Sequence, residues 1–294
     1  MSYPTTGPVT LEVNLADYAV TRAVKTVLQS DIVKLDFTGP KTANEGFKPM
    51  VRNGAYDAGE LAIGTYLQAK LYGKPLVLLP AVVMGRFQHH TIVANTERGI
   101  RNPKDLEGRA VGIRVYSQTT AIWVRGILQH EYGVDLSRIT WVCPDEGHLA
   151  EYKDPPNVER RPGKKVEQLL LDGDVDAAIV SAAVNDPRIR PVIADPQGAA
   201  EAWSRKYGAV PINHLFVVRQ ALSETRPDVV REIYRLLAES KASASSSGID
   251  FHPFGVGTNR RALELMIQYS VEQQIIPKPF TVDELFDDTT RTLG

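Results

Sequence analysis

Hydrophobic residues recur along this chain in short blocks that switch between a spacing of two and a spacing of three to four. Val9, Leu11, Val13 and Leu15 alternate with polar residues, which predicts a strand over residues 9–15. Asp17 then stands where it can cap a helix carrying Val20, Ala23, Val24, Val27 and Leu28. Residues 32–37 read as a second strand, and residues 44–53 as a short helix with Asn44 as cap and Gly54 just past its end. A third strand with its loop over residues 56–63 leads into a helix over 65–72 closed by Gly73. Strands and helices alternating across short loops predict a parallel α/β sheet.

The most apolar run, Leu76 to Met84, leads through Gly85 into Arg86-Phe87-Gln88-His89-His90-Thr91, and Ile92-Val93-Ala94 follows. Titratable side chains between two core-grade strands mark a crossing from one packed body to another, and the crossing is expected to floor an active site. Neighbouring side chains on a strand point to opposite faces, so only one of the two imidazoles is expected in a given cleft. Beyond the crossing, strands are expected over 109–115, 139–142 and 174–180, with helices opening at Gln118, Thr119 and Thr120 and over 166–171. Residues 145–163 are polar and proline-punctuated and read as a long surface loop. A strand over 213–219 returns to the first unit. An amphipathic helix over 227–239 follows, through Val230, Ile233, Leu236 and Leu237. Residues 241–248 are too serine-rich to pack and read as a loop before a last helix over 260–274.

Composition narrows the function. The 294 residues can bury a large core, and 43% hydrophobic with 23% charged residues is ordinary for a globular protein. A net charge of −1 argues against a nucleic-acid partner. Cys143 is the single cysteine, which excludes an intrachain disulfide and a zinc–thiolate cluster, and it reads as a small strand-end residue. No apolar run approaches the ~20 residues that span a bilayer. Residues 1–8 have neither a basic start nor an apolar stretch, so a cytoplasmic protein with no membrane partner is expected.

Two α/β units joined by two crossings resemble the type II periplasmic-binding-protein fold. That resemblance implies an α/β, two-lobed fold, each lobe a mixed, mainly parallel sheet flanked by helices, with a ligand cleft between the lobes. The implied lobes are residues 1–94 plus 212–294, and 95–211. Within that fold the chain is similar to the 4,5-dihydroxyphthalate decarboxylase family. The matching segments include Phe47-Lys48-Pro49-Met50-Val51-Arg52, Gly59-Glu60-Leu61-Ala62, Gly85-Arg86-Phe87-Gln88-His89-His90-Thr91, Tyr116-Ser117-Gln118-Thr119-Thr120, Trp123-Val124-Arg125-Gly126, Glu151-Tyr152 and Pro211-Ile212-Asn213-His214. One departure stands at Ser181-Ala182-Ala183-Val184-Asn185-Asp186-Pro187, where the resemblance leads one to expect a glycine-containing turn.

The resemblance implies non-oxidative decarboxylation of an aromatic dihydroxyphthalate-type acid to a monocarboxylic catechol, with a small aromatic dicarboxylate as substrate. Such a reaction needs an acid to protonate the ring carbon that bears the carboxylate, an acceptor for a ring hydroxyl, and cations for the carboxylate that stays. Histidine suits the first two tasks and arginine the third. The expected catalytic residues are therefore His89, His90, His214, Arg86 and Glu60, with Glu60 holding a histidine in one tautomer. The expected substrate-binding residues are Asp17, Arg22, Arg52, Gln88, Tyr116, Gln118, Thr119, Thr120 and Arg125. The helix opening at Gln118 offers free backbone N–H groups to a carboxylate. His130 and His148 read as surface residues, in the latter case on a loop that can close over the cleft.

No cofactor is expected. A divalent metal held by His89, His90, His214 and Glu60 is the alternative, against which adjacent histidines diverge and no His-x-His or His-x3-His spacing occurs. The competing function is a non-catalytic small-acid binding protein of the same fold, or an enzyme of that fold acting on another aromatic acid. A homo-oligomer is expected, with residues 286–291 as a candidate interface arm.

Overall fold

The structure is a computed structural model that describes residues 3–244 and 248–294. In chain order the first body holds β1 (Val9–Asn14), α1 (Arg22–Thr26), β2 (Val33–Asp36), α2 (Phe47–Asn53), β3 (Ala58–Ala62), α3 (Ile63–Leu71) and β4 (Leu76–Gly85). The second body holds β5 (Ile92–Asn95), β6 (Ala110–Ile113), α4 (Thr119–Tyr132), β7 (Thr140–Cys143), β8 (Val158–Arg160), α5 (Val166–Leu171), β9 (Ala177–Ile179), β10 (Ile189–Pro191) and α6 (Pro196–Tyr207). The chain then returns through β11 (Ile212–Arg219) to α7 (Gln220–Thr225), α8 (Pro227–Ser243) and α9 (Val256–Glu272).

The first sheet has the order β2-β1-β3-β11-β4 and the second β10-β5-β9-β6-β7-β8. Both sheets mix parallel and antiparallel pairs. The strands next to the crossings run antiparallel, β11 against β3 and β4 and β5 against β9 and β10, and the remaining pairs are parallel. This is the two-lobed arrangement of mixed sheets that the resemblance to the type II periplasmic-binding-protein fold implies. The expected boundary at residue 94 cuts through β5, which is paired with β9 in the second sheet, so the chain crosses over residues 86–91.

Gly59 explains how the first sheet presents its next residue, Glu60. Its φ is +154°, and a Cβ there would stand 2.3 Å from the carbonyl oxygen of Asn14. Only glycine lets β3 lie this close to the end of β1. Gly54 and Gly73 follow α2 and α3 with positive φ, as their positions after each helical pattern predict, and Gly133 does the same after α4.

Several expectations change. Asp17 caps nothing: a short 3-10 turn at Ala19–Thr21 starts the helix late, the helix ends at Thr26, and Val27 is exposed. Residues 145–163 are not one surface loop, since they contain β8 and the buried Leu149. The serine-rich segment does not begin as a loop at Lys241, because α8 runs to Ser243; residues 245–247 lie outside the described part. The C-terminal arm packs on its own chain, with Leu285 and Phe286 buried and the Tyr66 hydroxyl donating to the Leu285 carbonyl at 2.6 Å. Among the described residues no helix is long and apolar enough to cross a membrane.

Candidate active site

The cleft between the two bodies is a cavity of about 670 Å³, a size that suits a small organic ligand. The site is best built from β3 and β11. Glu60 lies opposite Phe216 in the antiparallel register, and His214 is two residues before Phe216. Alternation along β11 therefore sends His214 to the face that Glu60 occupies, as a diagonal cross-strand pair. His214 Nδ1 sits 2.6 Å from Glu60 Oε2. Glu60 is fully buried and also accepts from the Ala16 backbone N–H at 2.7 Å and the Tyr18 hydroxyl at 3.0 Å. Burial and the Glu60 charge raise the Tyr18 phenol above its ordinary range, so it stays a donor.

A second imidazole faces this pair. His148, from the segment after β7, has Nδ1 2.8 Å from Thr65 Oγ1 on α3. Phe47 packs edge-on against both rings, at 5.7 Å from His148 and 5.0 Å from His214. Burial, and then the charges of Arg114, Lys48, His214 and Arg52, push the His148 pKa down to about 3, so the ring is neutral at physiological pH. The sequence alone puts His148 on the surface. Its pattern signal is faint, because a polar loop residue gains a burial partner only when the other lobe lies across it. The same segment's proximity to the cleft is the one hint the sequence offers.

The cleft is also lined by cationic side chains and backbone donors. Arg86 Nη1 donates to the Ser181 carbonyl at 3.1 Å, while its Nε is buried without a partner among the described residues. Burial holds its pKa below the usual arginine value, and no carboxylate among the described residues offsets that. Arg114 also lines the cleft, 3.5 Å from Asp145. α4 begins at Thr119 with Gln118 in an extended cap position and no side-chain cap bond. Its first-turn amides therefore point a positive helix end at the cavity that Gln118, Thr119 and Thr120 line. Thr119 Oγ1 accepts from Gly64 N at 3.1 Å and Thr120 Oγ1 from Asn213 Nδ2 at 3.3 Å, which ties this helix end to α3 and β11.

A family description, NMT1/THI5 like, matches residues 33–151. A 4,5-dihydroxyphthalate decarboxylase of Comamonas testosteroni is 30% identical over 213 residues, which cover 66% of this chain and 63% of that protein. A 4,5-dihydroxyphthalate decarboxylase of Pseudomonas putida is 31% identical over 168 residues, covering 52% of this chain and 65% of that protein. Over these stretches the chain is similar to both decarboxylases. It spans just under two thirds of the length of each of these relatives. In three dimensions it is similar to the periplasmic aliphatic sulphonate binding protein SsuA from Escherichia coli, with a TM-score of 0.60 and 12% identity over 98% of this chain and 94% of that one. It is also similar to a mutant of DSZB in complex with biphenyl-2-sulfinic acid, at TM-score 0.52 and 15% identity over 96% of this chain and 97% of that one. Both likenesses speak to the fold, that of the periplasmic binding proteins.

The residues expected from this relationship fall into separate groups. His214, Arg86, Gln118, Thr119 and Thr120 line the cleft, and Glu60 lies directly behind His214. His89 and His90 do not line it. The crossing is a 3-10 turn over His89–Thr91 rather than a strand, which turns His90 to solvent and buries His89 toward Trp203, 6.4 Å away ring to ring. Gln88 is buried and donates to Asn213 Oδ1 at 2.7 Å and the Arg86 carbonyl at 2.9 Å, supporting cleft residues from below. Asp17 and Arg22 are exposed and lie 3.4 Å from each other.

Arg52 does not reach the cavity. It donates to the His148 carbonyl at 2.7 Å and the Gly147 carbonyl at 2.8 Å. Arg125 is fully buried inside α4, stacked 3.8 Å over the Tyr116 ring and donating to the Tyr116 carbonyl and Gln273, so Arg125 and Tyr116 are core residues of the second lobe. Nor do the four candidate metal ligands converge, since His214 and Glu60 meet while His89 and His90 point elsewhere. Among the described residues no three His, Cys, Asp or Glu side chains gather as a metal-holding group. Cys143 ends β7, buried, with its thiol pushed up to about 12 by burial.

Proposed function

We propose that this protein decarboxylates an aromatic dihydroxyphthalate-type acid without an oxidant, giving a monocarboxylic catechol. The observation that carries the reading is His214 backed by the buried Glu60 in a cleft that Arg86 and the start of α4 also line. The relationship to the two decarboxylases supports the same reaction class.

In this reading Glu60 keeps Nδ1 of His214 protonated, and the imidazolium delivers its Nε2 proton to the ring carbon that bears the departing carboxylate. The bond from that carbon to the carboxylate then breaks, its electron pair restores the aromatic ring, and carbon dioxide leaves. One proton is consumed per turnover and His214 regains it from solvent. Arg86, a planar donor fork with no carboxylate partner among the described residues, and the α4 amides hold the carboxylate that stays.

Incubation of the purified chain with 4,5-dihydroxyphthalate, and with a panel of other aromatic acids, tests this by carbon dioxide release and appearance of the catechol acid. Turnover of a different panel member makes it an enzyme on another aromatic acid. Saturable binding without turnover, with and without added divalent metal, makes it a small-acid binding protein of the same fold.

A further inference from the structure

The two cleft imidazoles have opposite environments, and the difference has a consequence for ligand choice. His214 meets a carboxylate, which can only accept, so Nδ1 is a donor there. His148 meets a threonine hydroxyl instead, and cationic groups surround it: Arg114, Lys48, His214 and Arg52. A neutral imidazole carries one donor and one acceptor. In the tautomer that donates Nδ1–H to Thr65 Oγ1, the other nitrogen carries a lone pair, and His148 lines the cavity. A carboxylate has no hydrogen to offer that lone pair, whereas a phenolic hydroxyl has.

We propose that His148 Nε2 is the acceptor for a ring hydroxyl and makes the cleft select hydroxylated over unhydroxylated aromatic diacids, with Arg52 as its positioning residue. The assignment rests on the reading of this cleft as an aromatic-acid site. His148 arrives from the second lobe, yet first-lobe side chains fix it. Arg52 on α2 holds the carbonyls of Gly147 and His148, Lys48 meets Glu146 at 2.9 Å, and Thr65 on α3 fixes the ring. Donor and acceptor then both pack against Phe47, each set to a different group of the same small ring. A hydroxyl para to the reacting carbon feeds electron density to it, so the group that His148 selects is the one the ring chemistry needs.

The test is calorimetric titration of the whole chain with phthalate and with 4,5-dihydroxyphthalate. The wild-type protein is expected to bind the hydroxylated acid about 10- to 100-fold more tightly, the effect of one well-placed buried hydrogen bond. His148→Leu should abolish that preference by weakening the hydroxylated ligand alone, leaving phthalate within about twofold. Arg52→Gln should reduce the preference several-fold, and Arg52→Lys should restore part of it, as a role confined to folding would not. Should His148→Leu not fold, Thr65→Val decides, because losing the hydroxyl that fixes the tautomer should shrink the preference in the same way. A wild-type protein without preference, or variants that weaken both ligands equally, overturns the assignment. A preference without carbon dioxide release sinks the decarboxylase reading and leaves His148 in this role; turnover with the preference unmoved by His148 and Thr65 does the reverse.

Discussion

His214 Nδ1 and Glu60 Oε2 lie 2.6 Å apart on neighbouring antiparallel strands, with the carboxylate fully buried and the imidazole at the cleft. A buried carboxylate needs partners for its lone pairs, and Glu60 has three: His214, the Ala16 amide and the Tyr18 hydroxyl. With Ala16 and Tyr18 held by the segment after β1, the orientation of the His214 ring depends on how β1, β3 and β11 pack. The imidazole is thereby set on strands rather than on a loop.

Glu60→Gln should lower kcat by roughly 10²- to 10³-fold on 4,5-dihydroxyphthalate with a much smaller change in KM. Glutamine keeps the volume but replaces the carboxylate that accepts from Nδ1, so the ring loses the partner that fixes its orientation and turns Nε2 to the cleft. Steady-state kinetics across pH 5.5–8 check it, and a kcat within about threefold of wild type would take Glu60 out of the chemistry.

Arg86→Ala should act on binding first. The guanidinium has no carboxylate of its own among the described residues, so a dicarboxylate ligand would be its ionic partner. KM for the substrate is expected to rise about 10- to 100-fold, with Arg86→Lys recovering only part because one ammonium cannot make the paired contact. Equal KM values for wild type and Arg86→Ala would remove the anion subsite from this wall.

The two adjacent histidines give a contrasting expectation. His90 is exposed outside the cleft, so His90→Ala should leave kcat within about twofold. His89 is 1% exposed beside Trp203, so His89→Ala should leave a cavity and cost about 2–4 kcal/mol of stability while the surviving folded protein keeps near-normal kcat. Urea unfolding and kinetics on the same preparations separate the two effects. A kcat loss of about 10²-fold in folded His90→Ala would return this segment to the chemistry.

The lobes and their connections are legible in the sequence because hydrophobic period and glycine position report local structure directly. The site is legible in part. Glu60, Arg86, His214 and the Gln118–Thr120 helix opening stand in the short segments that carry the resemblance, and each reaches or backs the cleft. His89 and His90 mislead because strand alternation fails where the chain makes a 3-10 turn. Arg125 and Arg52 mislead because a charged residue near a loop reads as ligand-binding, whereas one stacks inside the second lobe and the other grips backbone carbonyls. His148 escapes a sequence reading because its surroundings come from the other lobe, at Thr65 and Phe47, and no local pattern encodes that contact.

Acid should destabilise this protein well above the range where carboxylates titrate. Burial pushes the His89 pKa down to about 4 and that of His148 to about 3, while an unfolded chain holds both near the ordinary ~6.5. Between those limits the unfolded state binds more protons than the folded one, so stability rises with pH through the window and falls on acidification below ~6.5. Each histidine contributes a slope approaching ~1.4 kcal/mol per pH unit at the lower end of that window. The carboxylates with lowered pKa values, Asp186 among them, add to the loss only as pH falls toward their ordinary range near ~4, so measurements at about pH 5–7 isolate the histidines. Urea midpoints taken at pH 7, 6 and 5 should fall steadily. In His89→Phe, which keeps an aromatic ring against Trp203 but takes up no proton, the slope should become shallower, with His148, His90 and His252 carrying the rest. A midpoint that does not move between pH 7 and 5 would mean that neither imidazole is held neutral by burial.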